Sequence, residues 1–238
     1  MAIKRSLPTR NADSAVATNP SRTGAYLEAY TLPLGAGNWA FADEGSYFHA
    51  SNATVGTGVA GHAAPVVADT STKPLLHLYN GGVKSVVLDY LQLQVTAAGT
   101  AGTITYAVVY IDNAGATART SGGTAVTPVN CNSASTDTSA ATLFFGPVVA
   151  AFTSGRKVAQ AMAREVIPVV QDTFTLKFGA GAAAPVSGIT TAGTATNHLT
   201  LQMAPVVVGA GGNVGITLIR ASQSAAASYQ FSLGYWER

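Results

Sequence analysis

The C-terminal residues 197–238 alternate between apolar and polar side chains, and this pattern constrains the fold more than any other feature of the chain. A β-strand places successive side chains on opposite faces, so strict alternation predicts a sheet with one buried and one exposed face. We expect that sheet to be antiparallel, because parallel sheets are usually covered on both faces. The apolar positions are Leu199, Leu201, Met203, Val214, Ile216, Leu218, Tyr229, Phe231, Leu233 and Tyr235. The last strand reaches the end of the chain, and a terminus this apolar is expected to be paired inside the sheet.

Shorter stretches of alternating or apolar residues predict further strands before residue 197. They cover residues 75–79, 83–95, 103–111, 124–129 and 173–178. The predicted strand at residues 103–111 is apolar on both faces, which predicts that other parts of the protein cover both of its sides. Residues 157–167 fit either a helix or a strand, and we favour the strand.

Three local signals concern turns and edges. Asn80-Gly81-Gly82 predicts a hairpin turn with positive φ. Gly146-Pro147 interrupts residues 142–150, which predicts an edge strand or a bulge. Residues 43–48 lead into a loop-rich stretch at 50–72 that is expected to wrap the surface or an adjacent copy.

About eight to ten strands separated by turn signals, without a clear helix, predict an all-β protein. The predicted architecture is an antiparallel β-sandwich, a single jelly roll spanning residues 41–238, preceded by an extended N-terminal arm of residues 1–40. An immunoglobulin-type sandwich ranks second, because its Cys…Trp…Cys core is absent.

Charged residues are scarce. Asp, Glu, Lys and Arg make up 10% of the 238 residues, whereas ordinary soluble domains contain about 25%. The exposed faces must therefore carry mostly Thr, Ser, Asn, Gln, Gly and Ala. Such a surface costs little to bury against a partner, since few charges lose water and few long side chains become ordered. The composition favours a protein of a large assembly, with an ordinary secreted β-domain as the alternative.

The single Cys131 excludes an internal disulfide framework and fits a reducing compartment. The sequence has no apolar run of about 18 residues and no apolar core of a signal peptide near Met1, so neither a membrane span nor membrane binding is expected.

The basic character of the chain belongs to its N-terminal arm. Residues 1–22 hold four cations and one anion, a net charge of +3, which leaves −1 for the rest of a chain whose net charge is +2. Four spread cations are too few for direct nucleic-acid binding, but they would hold the arm on an acidic protein surface. Two tyrosines follow, on a segment that lies either over a neighbouring subunit or on its own body. The candidate partner-binding residues are Lys4, Arg5, Arg10, Arg22, Tyr26 and Tyr30.

Several short segments resemble a group of structural proteins from tailed-bacteriophage particles. They are residues 43–48 (DEGSYF), 88–91 (LDYL), 97–102 (AAGTAG), 120–126 (TSGGTAV), 166–170 (VIPVV), 221–225 (ASQSA) and 234–238 (GYWER). The resemblance implies a jelly-roll protein of the virion, assembled in the host cytoplasm, such as a capsid decoration or cement protein. Its implied partners are the major capsid protein or other virion proteins and further copies of itself, as a dimer or trimer. The family carries no catalytic residues that could be transferred to this chain.

Motifs for chemistry are few. The four histidines, His49, His62, His77 and His198, include no His-x-His pair of the kind that a cupin metal site needs. The sequence has neither a Gly-x-Ser-x-Gly elbow nor a phosphate-binding Gly-Lys-Ser/Thr loop. We therefore predict a non-enzymatic protein without a metal or cofactor. The alternative function is a tail or fibre component that contacts host-surface glycans, because jelly rolls host many lectins.

Overall fold

The computed structural model describes residues 41–60, 72–99, 105–113, 119–149, 155–164, 169–179, 198–220 and 227–238. Within these ranges the chain forms fourteen β-strands, and residues 41–43 are helical. The strands are β1 (Tyr47–Ser51), β2 (Val59–Ala60), β3 (Leu76–Asn80), β4 (Val86–Ala97), β5 (Thr105–Asp112), β6 (Arg119–Val126), β7 (Val129–Asn130), β8 (Ala141–Val149), β9 (Arg156–Arg164), β10 (Thr173–Phe178), β11 (His198–Met203), β12 (Val207–Val208), β13 (Asn213–Arg220) and β14 (Ser228–Glu237). No helix in these ranges is long and apolar enough to cross a membrane.

The strands form two sheets that pack face to face. Sheet 1 has the order β11-β10-β4-β14-β1-β7, with β12 also paired to β4 and β2 to β14. Sheet 2 has the order β6-β8-β3-β13-β5-β9. The inner faces of both sheets share one hydrophobic core. The described chain is therefore an all-β sandwich, as the alternation predicts.

The C-terminal strand β14 confirms the predicted alternation. Its residues Tyr229, Phe231, Leu233 and Tyr235 are all buried. The strand lies between β4 and β1, near the middle of sheet 1. The end of the chain is thus paired inside the sheet, as expected.

Sheet 2 is buried on both faces at its centre. On β13, Val214, Ile216 and Leu218 belong to the core, but Thr217 on the opposite face is also fully buried. The expectation of one exposed face is therefore wrong for this strand. On β5, Val108 and Val109 are both buried although they point to opposite faces, which confirms the predicted cover on both sides.

One pair of strands in sheet 1 is parallel. β10 and β11 run in the same direction, with Phe174 opposite Leu199 and Phe178 opposite Met203. The prediction of a fully antiparallel sandwich is wrong at this edge. Parallel neighbours need a crossover connection of about a dozen residues or more, and residues 180–197 supply enough chain for one.

The predicted hairpin at Asn80-Gly81-Gly82 is wrong, because the segment carries the chain from sheet 2 to sheet 1. β3 belongs to sheet 2 and β4 to sheet 1, and neither glycine has a positive φ. The Asn80 side chain organises this corner. Its Nδ2 donates to the carbonyl oxygens of Lys84 (2.8 Å), Val208 (3.0 Å) and Gly209 (3.0 Å), while its Oδ1 accepts from the Gly82 amide (3.1 Å).

The Gly146-Pro147 interruption lies in an interior strand. β8 runs between β6 and β3, so the predicted edge position is wrong. Pro147 lacks an N–H for the ladder and faces Gly122 on β6. The backbone adjusts on both strands, with φ of 67° at Gly146 and 75° at Gly123, where a Cβ would approach Pro147 to 2.9 Å. Glycine is needed at both positions because other residues rarely adopt positive φ.

Two further elements test the sequence patterns. Residues 156–164 form strand β9, which confirms strand over helix. Strand β1 is not predicted from the sequence, because its residues 47–51 stand at the entry to a loop-rich stretch. It lies between β14 and β7 and buries Phe48 and Ala50 in the core.

Candidate functional site

The predicted partner-binding residues lie outside the described part of the chain. They are Lys4, Arg5, Arg10, Arg22, Tyr26 and Tyr30. The predicted arm, residues 1–40, thus remains a prediction, and the described candidates for a functional site belong to the sandwich.

A β-bulge in β4 brings several polar and aromatic groups together on the outer side of sheet 1. Gly234 of β14 pairs with Tyr90 and Tyr235 pairs with Leu88, so Asp89 is the extra residue. A bulge of this kind redirects a side chain. The Asp89 carboxylate accepts a hydrogen bond from the Tyr47 hydroxyl at 2.7 Å, and both residues are 8% exposed.

Gly234 provides the space that this arrangement needs. A Cβ at this position would overlap both the Tyr47 Oη and Cε1 of Tyr90. Any side chain would therefore displace the two phenol rings, which lie over the glycine from neighbouring strands. Trp236 continues the cluster, because its ring stacks on Tyr47 at 6.4 Å and on Phe41 at 5.0 Å between centroids. We call Tyr47, Asp89, Tyr90, Gly234 and Trp236 the bulge cluster.

The Tyr47 phenol is held as a hydrogen-bond donor. Burial and the hydrogen bond to Asp89 raise the pKa of Tyr47 well above its ordinary value. Both effects favour the neutral phenol, which keeps its proton for the carboxylate. The pair therefore joins β1 to the bulge of β4, although 42 positions separate the two residues in the sequence.

Ser232 forms a second hydrogen-bonded group beside the bulge cluster. Its hydroxyl lies 2.9 Å from His49 Nε2 and 3.1 Å from the Tyr90 hydroxyl. Burial lowers the pKa of His49, which favours the neutral imidazole at neutral pH. A serine beside a neutral histidine is the first half of a nucleophilic triad. The carboxylate of the bulge cluster, Asp89, accepts the hydrogen bond from Tyr47.

The outer side of sheet 1 carries a wide array of uncharged polar groups, which we call the polar face. Hydroxyl, amide and imidazole groups dominate it, and Lys177 is its single charged member. An ordinary soluble surface contains about 25–35% charged residues, so about four would be expected here. The polar face consists of His49, Ser51, Tyr90, Gln92, Gln94, Thr173, Thr175, Lys177, His198, Thr200, Gln202, Gln230 and Ser232.

The other candidate groups lie apart from the polar face or at its margin. His77 is 1% exposed on β3, His198 is exposed at the edge of the polar face, and His62 lies outside the described residues. Cys131 is an exposed free thiol whose pKa is raised by partial burial, which disfavours the nucleophilic thiolate. In the described ranges, His, Cys, Asp and Glu side chains form no group of three or more that could hold a metal ion.

Three exposed carboxylates lie on two segments that meet where β1 begins. Asp43 and Glu44 precede this strand, and Asp137 lies in the loop that follows β7. Hydrogen bonds tie the two segments, because Asn132 Nδ2 donates to the Asp43 carbonyl at 2.9 Å and Asn130 Nδ2 to the Asp137 carbonyl at 3.1 Å. We call Asp43, Glu44 and Asp137 the acidic patch.

Comparisons with known proteins return no match from family models, from curated proteins or from solved structures.

The sequence patterns identify some members of these sites but not their proximity. The alternation of β4, β10 and β14 marks Gln92, Gln94 and Thr175 as outward-facing positions. The contact between His49 and Ser232 joins residues 183 positions apart, and the sequence does not predict strand β1, which carries His49. A weak signal exists in Tyr47-Phe-His-Ala-Ser51, where His49 and Ser51 alternate with Phe48 and Ala50.

Proposed function

We propose that the chain is a non-enzymatic structural protein of a tailed-phage particle, a capsid decoration or cement protein. It binds the shell through its N-terminal arm and through an oligomeric body. Its partners are the major capsid protein or other virion proteins and further copies of itself, as a dimer or trimer.

The observation that carries this proposal is the meeting of three of the seven segments on which the phage resemblance depends. Residues 43–48, 88–91 and 234–238 are far apart in the sequence, yet they supply all five members of the bulge cluster. The convergence of these three segments supports the proposal, because they form one structural unit, the bulge that holds β1, β4 and β14 together.

The strand order supports a jelly roll as the finer description of the fold. Within sheet 1, four strands follow the order β1-β14-β4-β10, and within sheet 2 four follow the order β3-β13-β5-β9. Neighbours in both sets are antiparallel. A jelly roll consists of eight strands that form two Greek keys and lie in two sheets. Relative to these eight strands, β8 and β6 extend sheet 2 beyond β3, while β7 and β11 extend sheet 1 beyond β1 and β10.

The distribution of charge supports binding through the arm. Residues 1–22 are basic, while the acidic patch of Asp43, Glu44 and Asp137 is exposed. Opposite charges on different parts of the same chain favour links between neighbouring copies or to an acidic shell protein. Clamping shell subunits requires buried area and specific contacts, and it requires no chemistry.

The test is shell binding by the full chain and by a chain lacking residues 1–40. Purified shells depleted of this protein are mixed with each form and sedimented. We expect the full chain to cosediment and the shortened chain to stay in solution, while its circular dichroism and thermal unfolding show a folded β protein. Equal binding by both forms would refute docking through the arm, and failure of the full chain to bind any shell or tail would refute the proposed function.

A further inference from the structure

The exposed amides of the polar face suit a neutral, hydroxyl-rich ligand. Gln92 and Gln94 are exposed on β4, and their neighbours in register are Thr175 and Ser232 for Gln92, and Thr173 and Gln230 for Gln94. An amide offers two donors and an acceptor, and a hydroxyl offers one donor and two lone pairs. Groups that both donate and accept match the hydroxyl groups of a sugar.

Part of this face is held in a fixed geometry. Ser232 is bonded on one side to His49 at 2.9 Å and on the other to Tyr90 at 3.1 Å. The Tyr90 ring lies over Gly234, since a Cβ there would overlap its Cε1. The ring is only partly buried, so it adds an apolar surface beside the amides. An aromatic ring next to hydroxyl and amide groups fits the alternating C–H and O–H surfaces of a sugar ring.

Charge and polarity disfavour other ligands. A nucleic acid or an anionic membrane surface needs several cations, and the polar face contains Lys177 alone. A protein partner needs a central group of aromatic or aliphatic anchors. On this side of sheet 1 the large apolar side chains other than Tyr90 lie at the margin, with Val129 on the edge strand β7 and Trp236 near the end of β14. We propose that the polar face binds a neutral polysaccharide, which goes beyond the structural role because it gives the particle a contact to a glycan-covered surface.

The experiment uses the full chain and four polysaccharides of known composition. Native electrophoresis in gels containing starch, xylan, mannan or hydroxyethyl cellulose measures retardation, and a heparin gel serves as the anionic comparison. The test variant is the double substitution Gln92→Ala and Gln94→Ala, which changes exposed side chains and leaves residues 1–40 intact. The matched control is Gln160→Ala, an exposed glutamine on β9 of sheet 2.

We expect retardation by at least one neutral polysaccharide, a loss of about tenfold in affinity for the double variant, and no change for the control. Thermal unfolding should be the same for all three proteins. The proposal is overturned if no neutral polysaccharide retards the wild-type chain, if the double variant binds as well as the wild type, or if heparin alone causes retardation. Shell binding through the arm is measured separately, so either proposal can fail without the other.

Discussion

The rings of Phe145 and Phe231 stack across the interior of the sandwich, with centroids 4.6 Å apart and planes inclined by 9°. Phe145 lies on β8 of sheet 2 and Phe231 on β14 of sheet 1, and both are at most 2% exposed. Stacking of this kind adds to the free energy gained by burying two large apolar side chains. This pair therefore joins the two layers directly.

Replacing Phe145 with alanine should cost about 3–5 kcal/mol in the free energy of unfolding, because it leaves a cavity between the sheets. The matched control is Phe144→Ala, which removes the neighbouring and only partly buried ring from the opposite face of β8. Urea unfolding followed by fluorescence measures both variants. An equal cost for the two would contradict the placement of Phe145 at the contact between the layers.

The substitution Asn80→Asp should destabilise the protein more than Asn80→Ala does. Aspartate keeps the shape of the side chain, but it replaces the NH2 group that donates to three carbonyl oxygens with a negatively charged oxygen that only accepts. An unpaired buried polar group alone costs about 1–3 kcal/mol, and a buried charge costs more. Chemical denaturation at pH 7 compares the two. If aspartate is tolerated better than alanine, the corner is not held by the Asn80 amide.

His77 should make stability depend on pH between about 6.5 and 4. Burial lowers its pKa to about 4, although the Asn213 side chain acts in the opposite direction. The folded pKa lies below the unfolded value of 6.5, so the contribution is complete above pH 6.5 and is lost as the pH falls towards 4. The total loss is about 3 kcal/mol, since a difference of one between the folded and unfolded pKa corresponds to about 1.36 kcal/mol.

The measurement is the free energy of unfolding at several pH values for the wild type, for His77→Gln and for His198→Gln. His77→Gln should flatten the decline below pH 6.5 relative to the wild type. His198→Gln, which changes an exposed imidazole on β11, is the comparison variant. Burial also lowers the pKa of His49, so part of the slope should remain in every variant. An unchanged slope in His77→Gln would show that this imidazole is not buried in the folded protein.

Neutralising the arm should weaken shell binding. Changing Lys4, Arg5, Arg10 and Arg22 to glutamine is expected to lower affinity roughly tenfold or more at low salt, since exposed ion pairs contribute about 0.2–1 kcal/mol each. Added salt should weaken the wild type more than this variant. The control variant Lys84→Gln with Lys157→Gln changes two exposed cations of the body. A quadruple variant that binds as tightly as the wild type at every salt concentration would contradict electrostatic docking of the arm.

The sequence predicts the strands well where alternation is long. On β4 and β14, the side chains follow the period of two over most of the strand, and their burial agrees with it. Alternation does not say which sheet a strand joins, because that depends on contacts distant in the chain. Asn80 illustrates this limit, since the same Asn-Gly-Gly signal fits a hairpin and a crossing between sheets.

The candidate sites are less accessible to sequence reasoning for the same reason. The alternation identifies Gln92 and Thr175 as outward-facing, but only the register of β4 and β10 places them side by side. The bulge at Asp89 has no local signature, because it accommodates Tyr47 on a strand far away in the sequence. The four cations of the arm are predicted from charge alone, and Tyr26 and Tyr30 from their place on the segment that follows.

Electron cryomicroscopy of shells with and without the added full chain tests the central claim most directly. The proposed function predicts extra density at symmetry-related positions on the shell, with the size of a two-layered β-sandwich and a strand of density leading from it to a neighbouring molecule. Identical reconstructions with and without the protein, at concentrations where it remains folded, would contradict its assignment as a structural component of the capsid.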